Sequence, residues 1–345
     1  MFYRDIIERY NVINIKLLED YFPDIIHIHN YYHLLTSSIF IAIKKFKLKN
    51  HNCKVIMTVH DFHLICPSSH LLYYKNNKPE KLPIPIKKKF WLIRRVDSRS
   101  ILHSFLKKLT WLFERLFIRP LRVIDFIITP SYFMSNTLVN SGIQNKIICI
   151  RNPLELGESE INIHQYPRLD DNIKMVFFGR LSKEKGLQEF FKMTIALKLN
   201  LSIDIYGDGP EIGELKHIVS NVSHLNINFL GSFPNEILQS KLKNYHVSII
   251  PSIGYENAPL TIPEAAKAGL IIWGTESGGV REMCEVCNVP HFLFTCNNIN
   301  EFKKSYHSLN SYLNSDHDYQ VELKEFNVNN FVKETLTIYS SDNYK

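Results

Sequence analysis

No stretch of the chain approaches the roughly 18 consecutive apolar residues that a helix needs to cross a bilayer, so a helical membrane-spanning protein is not expected. The opening residues also lack the apolar core of a secretory leader, because Arg4, Asp5, Glu8 and Arg9 interrupt it. Cysteine is sparse: six in 345 residues, without the density or even spacing of a secreted disulfide framework. Cys284 and Cys287 form one C-x-x-C, but no second pair completes a zinc site, and both are expected as buried free thiols rather than metal ligands or a redox couple. There is no internal repeat, no eightfold βα repeat, and no low-complexity tract beyond one basic cluster. No nucleic-acid-binding module accompanies that positive charge, so nucleic acid is not expected as a partner. These absences leave a soluble protein of the cytoplasm.

What is present fits two ordinary globular domains. The length allows each its own core, and a 45% hydrophobic, 22% charged composition excludes a disordered chain. The formal net charge of +7 is unevenly placed. Residues 75–122 carry fourteen Lys and Arg against Glu80, Asp97 and Glu114, a local +11, so the remainder sums to −4. The positive charge is therefore a feature of one surface rather than of the whole protein.

The second half alternates apolar runs with helix-like stretches. Strands are expected at Ile173–Phe178, Leu201–Tyr206, Ile227–Leu230, Val247–Pro251 and Leu270–Trp273, and helices at Leu187–Leu197, Glu211–Val219, Glu236–Lys243 and Glu264–Ala268. Such alternation with short connections implies right-handed crossovers and a parallel sheet, with ligands at the carboxyl ends of the strands. The first half follows the same logic less cleanly, with strands at Asp24–His29, Val55–Val59 and Phe126–Thr129. Arg151-Asn152-Pro153 and the polar run Glu155–Arg168 resemble a linker, and Phe326, Phe331, Leu336 and Tyr339 have helical spacing in the tail.

Four strand-end segments carry chemistry. After the Val247–Pro251 strand, Glu256 and Glu264 stand in E-x7-E spacing, with Pro259 and Pro263 where a helix should start. Free first-turn amides and the helix dipole make an anion site there, and spacing alone equally allows a solvated pair. Gly179-Arg180-Leu181-Ser182-Lys183-Glu184-Lys185-Gly186 follows the Ile173–Phe178 strand and offers an Arg fork and a Lys point charge, suited to a diphosphate or simply solvated. Gly207-Asp208-Gly209-Pro210 reads as a strand-end turn near a nucleoside rather than a dinucleotide fingerprint, because Asp208 would set a carboxylate beside a pyrophosphate. Ser277-Gly278-Gly279-Val280 with Glu282 forms a further loop, expected to be flexible.

Taken together, residues 170–300 resemble the C-terminal domain of glycosyltransferase family 4, through FFGRLSKEKG, IYGDGP, FLGSF, PSIGYENAPLTIPEAAKAG and SGGVRE in that order. The first half extends the resemblance with PDIIHIHN at residues 23–30, Thr58-Val59-His60-Asp61 through Cys66-Pro67, and the Ile127–Ser131 strand end. The resemblance implies a GT-B fold: two Rossmann-like α/β domains of parallel sheets facing a cleft. It implies domains at 1–155 and 171–325, a linker at 156–170, and a C-terminal helix in 326–345 packing back towards the first domain. Family members open with a strand and a Gly-rich loop, whereas this chain reaches PDIIHIHN by residue 22, so about two βα units are expected to be missing and the first domain incomplete.

The resemblance also implies roles. Arg180 and Lys185 would hold the diphosphate of a UDP- or GDP-sugar, Glu264 the ribose, and Glu256 the donor sugar. Gly179, Gly207, Asp208 and the backbone at Ala258, Pro259, Leu260 and Thr261 would line the donor, and His60 would face its sugar from the first domain. Transfer would proceed with retention, without metal or other cofactor, to a glycan or lipid-linked acceptor in surface polysaccharide synthesis. The Glu256 and Glu264 pair is therefore not read as a glycosidase acid and nucleophile. His27 and His29 share a strand face as structural or site-lining residues. Residues 75–122, which interleave aromatics with cations, are either a solvated face or a patch for anionic lipid at the inner face of the cytoplasmic membrane. Two other readings stand: an inactive nucleotide-binding remnant, and a metal-dependent hydrolase using His27, His29, His60 and Asp61.

Overall fold

The computed structural model describes residues 15–32, 36–86, 88–156, 163–165, 173–315 and 318–341. The opening residues, on which the expectation of an incomplete first domain rests, lie outside them, as do positions 157–162 and 166–170 of the expected linker. The chain divides into two compact units, Met1–Ile150 with Val332–Lys345, and Arg151–Phe331.

The first unit is built on a four-stranded parallel sheet in the order β1-β2-β5-β6, comprising β1 (Ile25–His29), β2 (Lys54–Thr58), β5 (Phe126–Thr129) and β6 (Lys146–Cys149). Val55, Ile56, Met57 and Thr58 are buried in succession, as are all four residues of β5. Such continuous burial is what a sheet covered on both faces requires. After β5, Ser131 caps the helix Tyr132–Asn140, its hydroxyl accepting from the Met134 amide at 3.1 Å. The basic segment contains an antiparallel hairpin, β3 (Leu72–Lys75) and β4 (Lys78–Lys81), that the sequence pattern did not indicate. Its two-residue turn is Asn76-Asn77, both with positive φ, the geometry that a tight hairpin prefers. The helix Val328–Ser340 ends against this sheet: the Lys54 ammonium donates to the carbonyls of Ile338, Tyr339 and Ser341 at 2.7–3.0 Å. A cation there neutralises the negative end of the helix. The apolar spacing expected in the tail is not the buried stripe, because Phe326 precedes the helix and Leu336 is exposed, while Thr335 and Ile338 are buried.

The second unit is a six-stranded, wholly parallel sheet in the order β10-β9-β8-β11-β12-β13. Its strands are β8 (Lys174–Phe178), β9 (Leu201–Tyr206), β10 (Leu225–Gly231), β11 (Val247–Ile250), β12 (Ile271–Thr275) and β13 (His291–Phe294). A short antiparallel pair, β7 (Ile163–Gln165) and β14 (Asp318–Gln320), lies apart from it. Both faces are packed. One face buries Phe190, Phe191, Ile203, Trp273 and Phe302, with Trp273 and Phe190 ring centroids 5.0 Å apart. The other buries Phe178, Ile250, Ile262, Ala265 and Ile272, together with Cys284 and Cys287, which are free thiols. Burial raises the pKa of both thiols, so they behave as small apolar side chains. The start of the expected linker is tied into this unit: Arg151 is buried and paired with Glu282 and with Glu325, and the Leu154 amide donates to the Phe326 carbonyl at 2.8 Å.

Candidate functional site

In the second unit the strand order reverses between β8 and β11: β9 and β10 lie to one side of that pair, β12 and β13 to the other. At such a switch point the connections leave in opposite directions, and a crevice opens at the strands' carboxyl ends. β8 runs out into Gly179-Arg180 and β11 into Pro251-Ser252, so two segments far apart in sequence emerge side by side. They are stitched together by backbone: the Glu184 carbonyl accepts from the amides of Ile253 at 2.8 Å and Gly254 at 3.1 Å.

Lys185 and Glu256 meet there. The ammonium lies 2.7 Å from Glu256 Oε1, and the same oxygen accepts from the Ser252 hydroxyl. The Glu256 side chain retains 16% of its exposure, Lys185 32%. Lys185 is therefore a positioning cation for Glu256 rather than a free charge. The guanidinium of Arg180, exposed beyond β8 and next to an exposed Gly179, has no hydrogen-bond or ion-pair partner among the described residues. It brings an unneutralised charge to the site.

A third loop fixes Glu256 from behind. The Gly279 amide donates to the Glu256 carbonyl at 2.8 Å, and a Cβ at Gly278 would lie 2.2 Å from that same oxygen. The Ser277-Gly278-Gly279 segment is thus packed against Glu256 and leads into the helix Val280–Val286, which corrects its expected reading as a flexible loop. Gly207, after β9, has φ +143°, and a Cβ there would sit 1.9 Å from the Gly179 carbonyl oxygen. Its lack of a side chain serves loop-to-loop packing beneath Arg180. Asp208 is exposed, accepts from the Gly209 amide at 2.7 Å through its side chain, and from the Leu181 amide through its carbonyl.

β11 ends at Ile250, since Pro251 has no amide to continue a ladder, and the next helix, Thr261–Lys267, begins three residues earlier than the pattern indicated. Pro259 is buried, Ala258 and Thr261 are half-buried, and Leu260 is exposed. The helix has only seven residues, so its dipole adds little beside the full charge of Arg180. Glu264 lies in its first turn, the amide donating to the Leu260 carbonyl at 3.0 Å. Burial raises the Glu264 carboxyl to about 7, because a carboxylate loses more hydration than a carboxylic acid.

The first unit holds its own cluster. His60 follows β2, and its Nε2 lies 3.1 Å from Nδ1 of His29, the last residue of β1. His27 lies beside His29 with ring centroids 4.4 Å apart, and its nitrogens reach the Thr58 hydroxyl at 2.8 Å and the Tyr339 hydroxyl at 2.7 Å. Burial, followed by the neighbouring His29 and His60, lowers His27 to about 4, and burial lowers the other two as well. The imidazoles thus form a neutral, hydrogen-bonding row at neutral pH. Asp61 is occupied in capping the turn Phe62–Leu64 by accepting from the His63 amide at 2.8 Å. Among the described residues no group of three or more His, Cys, Asp or Glu has the placement to hold a metal ion. His29, expected as structural or site-lining, is a direct partner of His60, and Ser252, which sequence reasoning did not assign to the site, is a direct partner of Glu256. The two-residue spacing of His27 and His29 on one strand was the available signal for the first, and none pointed to the second.

Family comparison agrees with this architecture. The description "Glycosyltransferase Family 4" matches residues 9–158 and "Glycosyl transferases group 1" matches residues 172–310. An uncharacterized 42.6 kDa protein in the cps region of Klebsiella pneumoniae is 24% identical over 289 residues, which is 81% of this chain and 64% of that protein. The chain thus matches less than two thirds of that relative's length. Among solved structures, the lipopolysaccharide outer core galactosyltransferase WaaB is similar at TM-score 0.61 and 15% identity, covering 97% of this chain and 80% of WaaB. Sucrose-phosphate synthase from Thermosynechococcus elongatus is similar at TM-score 0.62 and 14% identity, covering 97% of this chain and 77% of the synthase. The Anabaena protein HepE, solved in complex with UDP, is similar at TM-score 0.58 and 13% identity, covering 95% and 82%. Two parallel-sheet units of the GT-B fold, the first matched by the Glycosyltransferase Family 4 description and the second by that of the group 1 glycosyltransferases, establish that this chain belongs to the family 4/group 1 glycosyltransferases.

Proposed function

We propose that this protein transfers a sugar from a UDP- or GDP-sugar to a glycan or lipid-linked acceptor in surface polysaccharide synthesis, with retention of configuration and without a metal ion. The observation that carries the reading is the meeting, at the β8–β11 switch point, of an arginine whose side chain has no partner among the described residues and a lysine held on a carboxylate, with the half-buried Glu264 in the first turn of the helix that follows. UDP bound to HepE, the named activity of WaaB and the cps location of the Klebsiella relative support it.

In this reading Arg180 binds the diphosphate and stabilises it as it leaves, the place that a cation takes in other transferases. Lys185, oriented by Glu256, shares that charge once the donor is present. Glu264 accepts hydrogen bonds from ribose hydroxyls, while Glu256 orients the sugar and supports the positive charge that develops at its anomeric carbon. His60 is assigned a second orienting contact. The acceptor oxygen bonds to the anomeric carbon as the bond to phosphate breaks, and the departing phosphate oxygen takes the acceptor proton. The acceptor is met at an anionic membrane surface on the cytoplasmic side, through residues 75–122. No helix among the described residues is long and apolar enough to cross a membrane.

The direct test is thermal stabilisation by UDP and by GDP, followed by donor turnover with and without EDTA. Binding of one nucleotide and EDTA-insensitive transfer are expected. Failure of both nucleotides to bind at millimolar concentration, or turnover abolished by EDTA, would overturn the reading, and binding without any turnover would mark an inactive remnant.

Glu264 adds a pH signature. Its folded pKa, about 7, lies above the ordinary glutamate value, so the protonated carboxyl contributes stability that is complete below that ordinary value and is lost as pH rises through the folded pKa. Ribose hydroxyls donate best to the ionised form, so nucleotide binding should release a proton near pH 6.5 and tighten severalfold between about pH 6 and 8. Glu264→Gln should flatten the profile; an unchanged slope in calorimetry would remove Glu264 from the ribose site.

A further inference from the structure

The helix Ile101–Phe113 is built inside out. Of its thirteen residues only Ser104 and Trp111 are buried. Ile101, Leu102, Phe105, Leu106, Leu109 and Phe113 are all exposed, and Leu116 and Phe117 continue the ridge through the wider turn Glu114–Ile118. Lys107, Lys108 and Arg115 instead lie half-buried on the inner side, where burial lowers the pKa of each. A helix folded for water does the opposite, turning its apolar stripe to the core and its cations outward. An apolar ridge of this size marks an interaction surface.

The charges around the ridge indicate what covers it. The acids of the segment are withdrawn: Asp97 is buried and bonded to Arg99, Glu114 is buried, and Glu80 is held by the Tyr73 hydroxyl. Lys75, Lys78, Arg119 and Arg122 remain exposed. An apolar ridge in a segment whose exposed charges are cationic complements the boundary between anionic headgroups and acyl chains.

The inner side of the same helix grips the His60 loop. The Trp111 indole N–H donates to the His63 carbonyl at 2.7 Å, with Trp91 edge-on at 5.0 Å and the Arg115 guanidinium 4.9 Å from the ring centroid. One turn on, Glu114 accepts from the hydroxyl of Tyr31, just beyond β1, at 2.5 Å. His63 is buried in the turn Phe62–Leu64, its Nε2 lies 3.8 Å from the Glu114 carboxylate, and neither ring nitrogen has a hydrogen-bond partner among the described residues. Tyr32 covers its ring at a centroid distance of 3.8 Å.

We propose that the apolar face of Ile101–Phe113 inserts into an anionic phospholipid bilayer, and that docking orders the His60–His63 turn through the Trp111 and Glu114 contacts, making the bilayer an activator of the site. The inference rests on the membrane reading above and adds regulation to it.

The experiment uses the full chain with vesicles of phosphatidylcholine alone and with about 30% phosphatidylglycerol, reading co-sedimentation and amide exchange across residues 60–66. Binding at least about tenfold tighter to the anionic vesicles is expected, weakened by salt and lost in a Phe105→Glu, Leu109→Glu variant. Exchange across the turn should slow about tenfold on docking. Trp111→Phe should keep the binding and lose the slowing; should it not fold, Tyr31→Phe cuts the second contact with the same expectation. Binding with unchanged exchange in the natural protein overturns the activation while leaving the membrane reading standing. Absence of binding, binding that survives the double substitution, or self-association that the double substitution abolishes overturns the docking itself.

Discussion

Lys185→Ala is expected to lower kcat/KM for the donor by about 100- to 1,000-fold, the range seen when one preorganised contact to a developing anion is removed. Two losses add. The ammonium no longer meets the leaving diphosphate, and Glu256, mostly buried, loses the cation that helps hold its carboxylate in place beside the Ser252 hydroxyl. Arg180→Ala removes the uncompensated charge and should weaken nucleotide binding more, because that guanidinium has no internal partner to release among the described residues. The stability cost of Lys185→Ala should stay near about 1 kcal/mol, since the lysine is a third exposed and such pairs are worth little in water. A double-mutant cycle with Glu256→Gln checks the assignment, because residues acting as a unit give strongly non-additive losses. Turnover unchanged in either single variant would sink the donor-site reading, whatever the fold.

Gly207→Ala is expected to be the most damaging conservative change in the second unit, at about 2–4 kcal/mol, the sum of an overpacked contact and a residue forced into left-handed backbone. The added methyl would lie 1.9 Å from the Gly179 carbonyl oxygen, a backbone atom with no rotamer to yield, at φ +143°. The relief available is displacement of the Gly179–Leu181 strand end, so Arg180 should move with it and nucleotide affinity should fall in parallel. Urea unfolding of the second unit together with UDP calorimetry reads both effects. A loss under about 1 kcal/mol would mean that the two loops are not held against one another as the structure has them.

The second sheet was legible because parallel strands covered on both faces are written as unbroken apolar runs; MVFF at 175–178 and IIW at 271–273 are of that kind. The positions of Arg180 and Glu256 followed, since strand ends in such a sheet are where chain leaves the core. Their environment did not. Lys185 and Glu256 are 71 residues apart, and only the reversal of strand order brings their loops together. The packing of Gly278 against Glu256 was equally hidden, because glycine signals backbone freedom without naming what fills the space. The basic segment was the least legible. A helix with its polar side inward offends the usual period, and an Asn-Asn turn between two lysine-bearing strands resembles loop sequence. The tail misled differently: Phe326 continues the helical spacing of residues 331–339 but is buried in the second unit's core before the helix starts.

The union of residues 1–150 with 332–345 has a consequence for synthesis. The second unit is contiguous and has its whole sheet once residue 331 has been made. The first unit is translated earlier yet is completed last, because Lys54 waits through 285 residues for the Tyr339 carbonyl and His27 through 312 for the Tyr339 hydroxyl. During that interval its sheet lacks its final helix and its apolar ridge is already displayed, so the nascent chain is at its most adhesive before it is finished.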